Sequence, residues 1–372
     1  MRLLDRYLLR ELLVPLAYCL GGFLIFYVAF DLIFQINRFL DNRLLFWDIV
    51  EYYVVTLPEL LVEQVLPVSL LLALLYATTN HNRHHELIAI RAAGISLWRL
   101  AAPYLAVGVV FGAVVFLIGE FWLPSAAERA KFILERRQTQ PVQRDWFAKL
   151  DFVNEATHRE WVMSGFNRRT GEITSGLKLM TVLPDGATET VDAKRALYSN
   201  GQWHLFSALT WHQGTNESVP SFPPRSNAVL NLTLSETPAW IRSEIKLNTL
   251  STTDAAKGPQ LSIREIREYL RLHPRIERAK KAMLLTQLQG RIAAPFTCLA
   301  VVLIALPFGA RPGRRDVFVG VASSIFICFG YFILQRISFG LGVSMYLPPF
   351  LAAWLPNILC GGLGLVLLAR LR

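Results

Sequence analysis

Residues 84–99 read HHELIAIRAAGISLWR and lie between two long apolar runs, at about 54–79 and 100–119. Each run is long enough to cross a bilayer as a helix, because about 20 helical residues span the hydrocarbon layer. A segment that joins two such spans must lie in water or among lipid headgroups. Its sequence therefore decides what the two spans present at the membrane surface.

The segment has the pattern of a short amphipathic helix. Leu87 and Ile90 recur at helical spacing among charged residues. Gly94 is a typical helix stop, and Ser96 can cap the span that follows. A polar turn is the alternative, and composition alone favours it.

The composition of the whole chain indicates a membrane protein. Its 372 residues are 53% hydrophobic, and the mean hydropathy is +0.36. The net charge of +10 favours acidic partners, and for a membrane protein anionic lipid is a better candidate than nucleic acid. The cysteines lie in apolar runs without CxxC or Cys/His patterns, which predicts buried thiols and neither disulfides nor zinc. They are Cys19, Cys298, Cys328 and Cys360.

Six apolar runs are long enough to be transmembrane helices. They cover about 12–36, 54–79, 98–123, 292–310, 317–336 and 348–369. The first run is too long for the apolar core of a signal peptide, so we expect a retained helix. The predicted fold is a six-span helical membrane protein, divided three and three by a large insert. Its predicted domains are 1–124, 125–290 and 291–372.

Arginine is distributed unevenly over the two sides of the predicted membrane. One side carries Arg2, Arg6, Arg10, Arg83, Arg91, Arg99, Arg311, Arg314, Arg315, Arg370 and Arg372. The other, in its short loops, has only Arg38 and Arg43. Because positive charge marks the cytoplasmic side, both termini are predicted to be cytoplasmic and the insert periplasmic.

The insert has the pattern of a β domain. From about 146 to 250, short β-like runs alternate with turn signals such as Pro184-Asp185-Gly186 and Asn200-Gly201. This pattern predicts an antiparallel sandwich or jelly-roll. Ser262 and Glu265 then form a predicted capping box that opens a charged helix, and a basic helix from about 275 leads into the fourth span.

The sequence offers no catalytic or nucleotide-binding motif. It has no P-loop, so ATP is not expected to bind here, and no Ser/His/Asp or paired-carboxylate arrangement stands out. His81, His84 and His85 are the nearest approach to a metal cluster, but they lack a further ligand and are predicted to lie in a hydrated loop. The sequence therefore predicts neither an enzyme nor a metal site.

Several motifs in order resemble one family over nearly the whole chain. They are the segment from Glu86 to Ser96, the N-terminal RYLLRE at 6–11, FDLIF at 30–34, LSIREIREYL at 261–270 and YLPPF at 346–350. The motifs and the three-plus-three layout are similar to the LptF/LptG (YjgP/YjgQ) lipopolysaccharide export permeases. The 337–357 region resembles LptG slightly more than LptF.

The resemblance implies a transport role in the bacterial inner membrane. The chain would pair with a sister LptF/LptG permease above an LptB-type ATPase dimer, which would bind ATP and Mg²⁺. It would pass lipopolysaccharide to LptC and a periplasmic bridge protein. The alternatives are a permease of the lipoprotein-release or MacB type, which usually has its soluble domain after the first span, or a membrane-anchored scaffold that needs no ATPase.

The resemblance also implies roles for individual residues. Glu86 matches the coupling-helix glutamate that docks in a groove of the ATPase, and Arg91 and Gly94 match the same segment. Arg38 and Arg43 lie where the family has basic residues against the phosphates of lipid A, which suits guanidinium geometry; membrane-anchoring side chains are the alternative.

Asp31 is a third candidate near the lipopolysaccharide site. It lies within an apolar run, where a carboxylate facing lipid is costly, so it is predicted to face a cavity or a partner helix.

Overall fold

The computed structural model describes residues 3–137, 146–174, 176–214, 223–253, 261–309 and 317–370. The chain forms two compact units. One consists of Met1–Leu134 and Ala279–Arg372, and the other of Glu135–Arg278. The first unit is helical and the second is built on a β-sheet.

The helical unit contains long helices and a short one between two of them. Its α-helices are α1 (Leu3–Asp41), α2 (Phe46–Leu60), α3 (Leu66–Arg83), α4 (Glu86–Ala92), α5 (Leu97–Leu117), α6 (Leu123–Glu135), α9 (Arg278–Gly309), α10 (Val317–Val343) and α11 (Pro349–Arg370). Two π-helical segments, Leu61–Val65 and Ile118–Trp122, join α2 to α3 and α5 to α6. Helices α7 (Pro238–Thr253) and α8 (Ile263–Leu272) belong to the β unit.

Five helices in the described part of the chain are long and apolar enough to cross a membrane. They are Leu3–Asp41, Leu97–Leu134, Arg278–Gly309, Ile325–Val343 and Pro349–Arg370. These five correspond to predicted spans one, three, four, five and six, which confirms a helical membrane protein. The loop arginines Arg311, Arg314 and Arg315 lie outside the described residues.

The second predicted span differs from the other five. Residues 46–83 form a continuous helical run, but it is not among the five membrane-length apolar helices. Helix α3 begins with apolar residues and ends in the polar sequence TTNHNR at 78–83. The apolar part of α3 is nevertheless almost completely buried within the helical unit.

The core of the helical unit is a layer of aliphatic side chains between α1, α3, α5 and α9. Helix α1 contributes Leu8, Leu12 and Leu16, which fall at helical spacing on one face and are at most 2% exposed. The short helix α4 enters the same core through Leu87. The beginnings of α1 and α5, the end of α3 and all of α4 therefore meet at one end of this unit.

The second unit is an antiparallel sheet of seven strands followed by two helices. The strands are β1 (Trp146–Asn154), β2 (Arg159–Asn167), β3 (Leu177–Val182), β4 (Thr188–Ala193), β5 (Arg195–Ser199), β6 (Gln202–Gln213) and β7 (Arg225–Leu232). They follow the order β1-β2-β3-β4-β6-β5, and β7 pairs with β6. The predicted antiparallel β domain is confirmed, and its strands form one curled sheet.

The turn chemistry of the sheet follows the sequence. Asn200 and Gly201 both have positive φ, 52° and 81°, in the hairpin between β5 and β6. Gly186, with φ of 85°, lies in the predicted turn between β3 and β4. Lys194 separates β4 from β5 opposite Ser207, whose φ is 54°. At this position strand β6 passes from pairing with β4 to pairing with β5.

Aromatic and aliphatic side chains form the core of the β unit. Trp161 of β2 and Trp203 of β6 are fully buried, with ring centroids 5.7 Å apart. Helix α7 (Pro238–Thr253) adds Trp240, Ile241 and Ile245 to this core. Helix α8 (Ile263–Leu272) begins at the predicted capping box, in which Ser262 and Glu265 each accept the other's backbone N–H.

Candidate functional site

The segment between α3 and α5 is a seven-residue helix bounded by two turns. His85 precedes α4 with φ of 57°, and Gly94 follows it with φ of 80°. Gly94 ends the helix as predicted, because a residue with a side chain is strained at this φ. Ser96 caps α5 by accepting a hydrogen bond from the backbone N–H of Arg99 at 3.3 Å, also as predicted.

Helix α4 has one face against the protein and one face outward. Leu87 is only 5% exposed and Ile90 packs against the same core. Ile88, Ala89 and Ala92 are exposed on the other face, and Ile88 is 53% exposed. The predicted helix is confirmed, with Leu87 on its inner side. Its exposed residues are not all polar, since the apolar Ile88, Ala89 and Ala92 are exposed together with Arg91.

The carboxylate of Glu86 is bound by side chains of two other helices. The hydroxyl of Tyr7 on α1 donates to Oε2 of Glu86 at 3.0 Å, and Nδ1 of His81 on α3 lies 2.7 Å from the same oxygen. The Glu86 side chain is 34% exposed, whereas that of His81 is 1% exposed. Glu86 thus joins α4 to α1 and α3 while its own side chain stays partly exposed to solvent.

The electrostatics of this contact favour an ionised carboxylate. Partial burial acts to raise the pKa of Glu86, but the hydrogen bonds with His81 and Tyr7 outweigh it. The pKa of Glu86 therefore lies below its ordinary value of 4.5. Glu86 is negatively charged at neutral pH and can attract a cation from a partner.

The three neighbouring histidines do not share one environment. His84 and His85 are exposed, as expected for a hydrated loop. For His81 the prediction was wrong, because α3 continues to Arg83 and carries His81 on its inner face. Among the described residues, no group of three or more His, Cys, Asp or Glu side chains could hold a metal ion.

A second polar contact ties α1 to α5 beside this segment. Nη2 of Arg99, near the start of α5, donates to both carboxylate oxygens of Asp5 on α1, at 3.1 and 3.0 Å. Arg91 is exposed and lies in the last turn of α4, where a positive charge interacts favourably with the helix dipole. Glu86, Arg91 and Gly94 therefore lie together in one short segment.

The candidate residues for binding lipopolysaccharide lie at the other end of α1. Asp31 accepts hydrogen bonds from Gln35 Nε2 at 2.9 Å and from the Tyr53 hydroxyl of α2 at 3.0 Å, so it faces a neighbouring helix as predicted. Arg38 in the last turn of α1 and Arg43 just beyond it are both exposed. From Tyr7 to Asp31 is 24 residues along α1, or about 36 Å at the helical rise.

Two residues of the α4 site could not be identified from sequence. Tyr7 was noted only as part of the N-terminal motif, and His81 only as a loop residue. Tyr7 is 79 positions from Glu86 in the chain. Neither periodicity nor spacing relates residues so far apart, and only the packing of α1 against α3 brings them together.

Fold and site together define a multi-span helical membrane protein with an inserted antiparallel β domain and a short surface helix between two spans. Residues 6–370 match the family described as lipopolysaccharide export system permease LptF/LptG, and the chain belongs to this family. The match does not distinguish LptF from LptG. A comparison with curated proteins gave no significant match.

Family membership gives the chain its general role. It is an inner-membrane permease for lipopolysaccharide export, a transport subunit and not an enzyme.

Proposed function

We propose that this chain is a membrane subunit of an ABC transporter that extracts lipopolysaccharide from the inner membrane. It pairs with a sister LptF/LptG permease, and an LptB-type ATPase dimer on the cytoplasmic side supplies ATP and Mg²⁺ binding. The observation that carries this proposal is α4, with an ionised carboxylate at its beginning and an exposed apolar face. The resemblance of the 337–357 region favours LptG over LptF.

The arrangement of charge supports an orientation with α4 in the cytoplasm. Eleven arginines belong to the loops and termini that the sequence predicts on the side of α4, and two, Arg38 and Arg43, belong to the other side. This orientation places both termini in the cytoplasm and the β unit in the periplasm. The β unit then passes the lipid to LptC and the periplasmic bridge protein.

The proposed coupling uses the Glu86 helix as the docking element. The carboxylate of Glu86 pairs with a cation of the ATPase, and the exposed side chains Ile88, Ala89 and Ala92 fill an apolar groove. Arg91 and Gly94 complete the segment at its other end. ATP binding and hydrolysis in the partner then open and close the membrane cavity through α4.

Arg38 and Arg43 are the proposed contacts for the phosphates of the lipid headgroup. Both side chains are exposed at the end of α1 that is distant from Glu86. Planar guanidinium groups bind phosphate oxygens in pairs. Asp31 has a different proposed role, since its hydrogen bonds with Gln35 and Tyr53 hold α1 against α2 beneath these arginines.

A pull-down of the tagged full chain from native membranes tests this function. We expect an ATPase and a sister permease to be recovered, with ATPase activity that changes when lipopolysaccharide is added. An ATPase that responds to lipoproteins or drugs, and not to lipopolysaccharide, would assign the chain to another exporter. Recovery without any ATPase would contradict the proposal and favour a scaffold.

A further inference from the structure

The carboxylate of Glu86 presents one oxygen to the protein and one to the outside. Both hydrogen bonds that it makes with described residues, from Tyr7 and with His81, go to Oε2. Oε1 receives none from the described part of the chain, and the side chain is 34% exposed. A partner's cation can therefore bind Oε1 while Oε2 stays attached to α1 and α3.

Of the two residues that hold Oε2, His81 is buried and Tyr7 is partly exposed beside it. His81 is 1% exposed, and its ring lies 5.6 Å from that of Tyr7, centroid to centroid. Because a carboxylate only accepts hydrogen bonds, Nδ1 of His81 must carry the proton in this contact. Tyr7 directly precedes Leu8, which is fully buried in the core of the helical unit. A displacement of Glu86 therefore acts on a buried ring of α3 and on a ring of α1 next to its core residue Leu8.

We propose that Tyr7 and His81 are positioning residues that connect Glu86 to α1 and α3, so that movement of α4 moves the beginning of α1. The ion pair between Asp5 and Arg99 extends the connection from α1 to α5. Hydrogen bonds to a charged acceptor are stronger than those between neutral groups. Such bonds can keep α4 attached to α1 and α3 while α4 moves. This inference rests on the proposed function, in which a partner ATPase moves α4.

The substitution Tyr7→Phe tests the proposal, because it removes one hydroxyl and keeps the ring. Tyr18→Phe is the matched control: Tyr18 lies on the same helix, is 77% exposed and has no hydrogen bond with another described residue. His81→Phe removes the second contact. Each variant is purified with its partners and reconstituted in proteoliposomes that contain lipopolysaccharide.

The readout is the amount of lipopolysaccharide released per ATP hydrolysed. We expect Tyr7→Phe and His81→Phe to lower this ratio about threefold or more, with the ATPase still bound and the melting temperature within the range of the controls. Glu86→Ala combined with Tyr7→Phe should have no larger effect than Glu86→Ala alone, since the hydroxyl acts through the carboxylate.

Two results would overturn the proposal. One is an unchanged ratio in both Tyr7→Phe and His81→Phe, and the other is a double variant in which the separate effects multiply. The function itself is tested by the wild-type complex in the same assay. If the wild type hydrolyses ATP without releasing lipopolysaccharide, the proposed function fails, whatever the variants do.

Discussion

Glu236 is a buried charged residue of the β unit with several partners among the described residues. It is 0% exposed, and Nη1 of Arg159 donates to it at 2.8 Å. Asn154, Thr157 and Ser235 donate further hydrogen bonds at 2.7, 3.0 and 2.9 Å. Its backbone carbonyl accepts from the indole N–H of the buried Trp203 at 2.7 Å. This cluster joins β2, the turn after β1 and the chain beyond β7.

The substitution Glu236→Ala should destabilise the β unit by about 3–5 kcal/mol, because it leaves Arg159 partly buried without its counter-charge. Glu172→Ala is the control, since Glu172 pairs with Arg195, whose side chain is 53% exposed, and should cost less than about 1 kcal/mol. The measurement is the unfolding of the full chain in detergent, followed by tryptophan fluorescence. Equal losses of stability in Glu236→Ala and Glu172→Ala would contradict the structural role of the buried Glu236 cluster.

The same carboxylate gives the stability of the β unit a dependence on pH. Burial acts to raise the pKa of Glu236, but Arg159 and the hydrogen bonds outweigh it and hold the pKa below 4.5. A pKa that folding lowers stabilises the fold above the unfolded value, and this stabilisation is lost as the pH falls through the folded value. The difference between wild type and Glu236→Gln should therefore shrink below about pH 4.5.

The sequence could not predict the polar cluster around Glu236 or the one around Glu86. Glu236 lies 77 positions from Arg159, and Glu86 lies 79 positions from Tyr7. The sequence identified Glu86 through its motif and Asp31 through its place in an apolar run. It could not identify their partners, because hydrogen bonds between distant residues depend on how helices and strands pack.

At the scale of elements, glycines set the closest approach between membrane helices. A Cβ on Gly364 of α11 would lie 2.5 Å from the carbonyl carbon and oxygen of Leu303 on α9. A Cβ on Gly362, in the same helix, would meet nothing within 4 Å. Small residues allow helix backbones to pack this closely in membranes.

The substitution Gly364→Ala should therefore destabilise the helical unit by about 1–3 kcal/mol through overpacking against α9. Gly362→Ala makes the same chemical change at a position with free space. It should be neutral or slightly stabilising, because alanine has a higher helix propensity than glycine. Thermal inactivation of the full chain in detergent, read as the fraction that remains monodisperse, separates the two. Loss of stability in Gly362→Ala alone would contradict the packing of α11 on α9.

The elements themselves were largely predictable. The lengths of the apolar runs predicted the five membrane-length helices of the described part of the chain. Asn200-Gly201 predicted a turn, and Ser262 with Glu265 predicted the start of a helix. The π-helical segments and helix α7 were not predicted. The apolar side chains of α7, Trp240, Ile241 and Ile245, complete the core of a curled sheet. These side chains are buried because they pack on the sheet. Their sequence has no helical periodicity that distinguishes α7 from the β-rich sequence before it.

At the scale of the whole molecule, the sequence already indicated how the chain is divided. Unequal arginine distribution, six apolar runs and a β-rich insert predicted the division into membrane spans and a β domain, whereas the transport role came from the family resemblance, which the family match supports. The sequence could not show that α4 is held by α1 and α3, which is the contact on which the proposed coupling rests. The central proposal is that movement imposed on α4 drives lipopolysaccharide out of the membrane.

The most direct test of this claim is ATP-dependent release of lipopolysaccharide from proteoliposomes that contain the purified complex and receive the soluble bridge protein outside. We expect the wild type to release lipopolysaccharide with ATP, and Glu86→Ala to lower release about tenfold while the fold and the lipid content are unchanged. Equal release by wild type and Glu86→Ala would contradict the account, because movement would then not pass through α4.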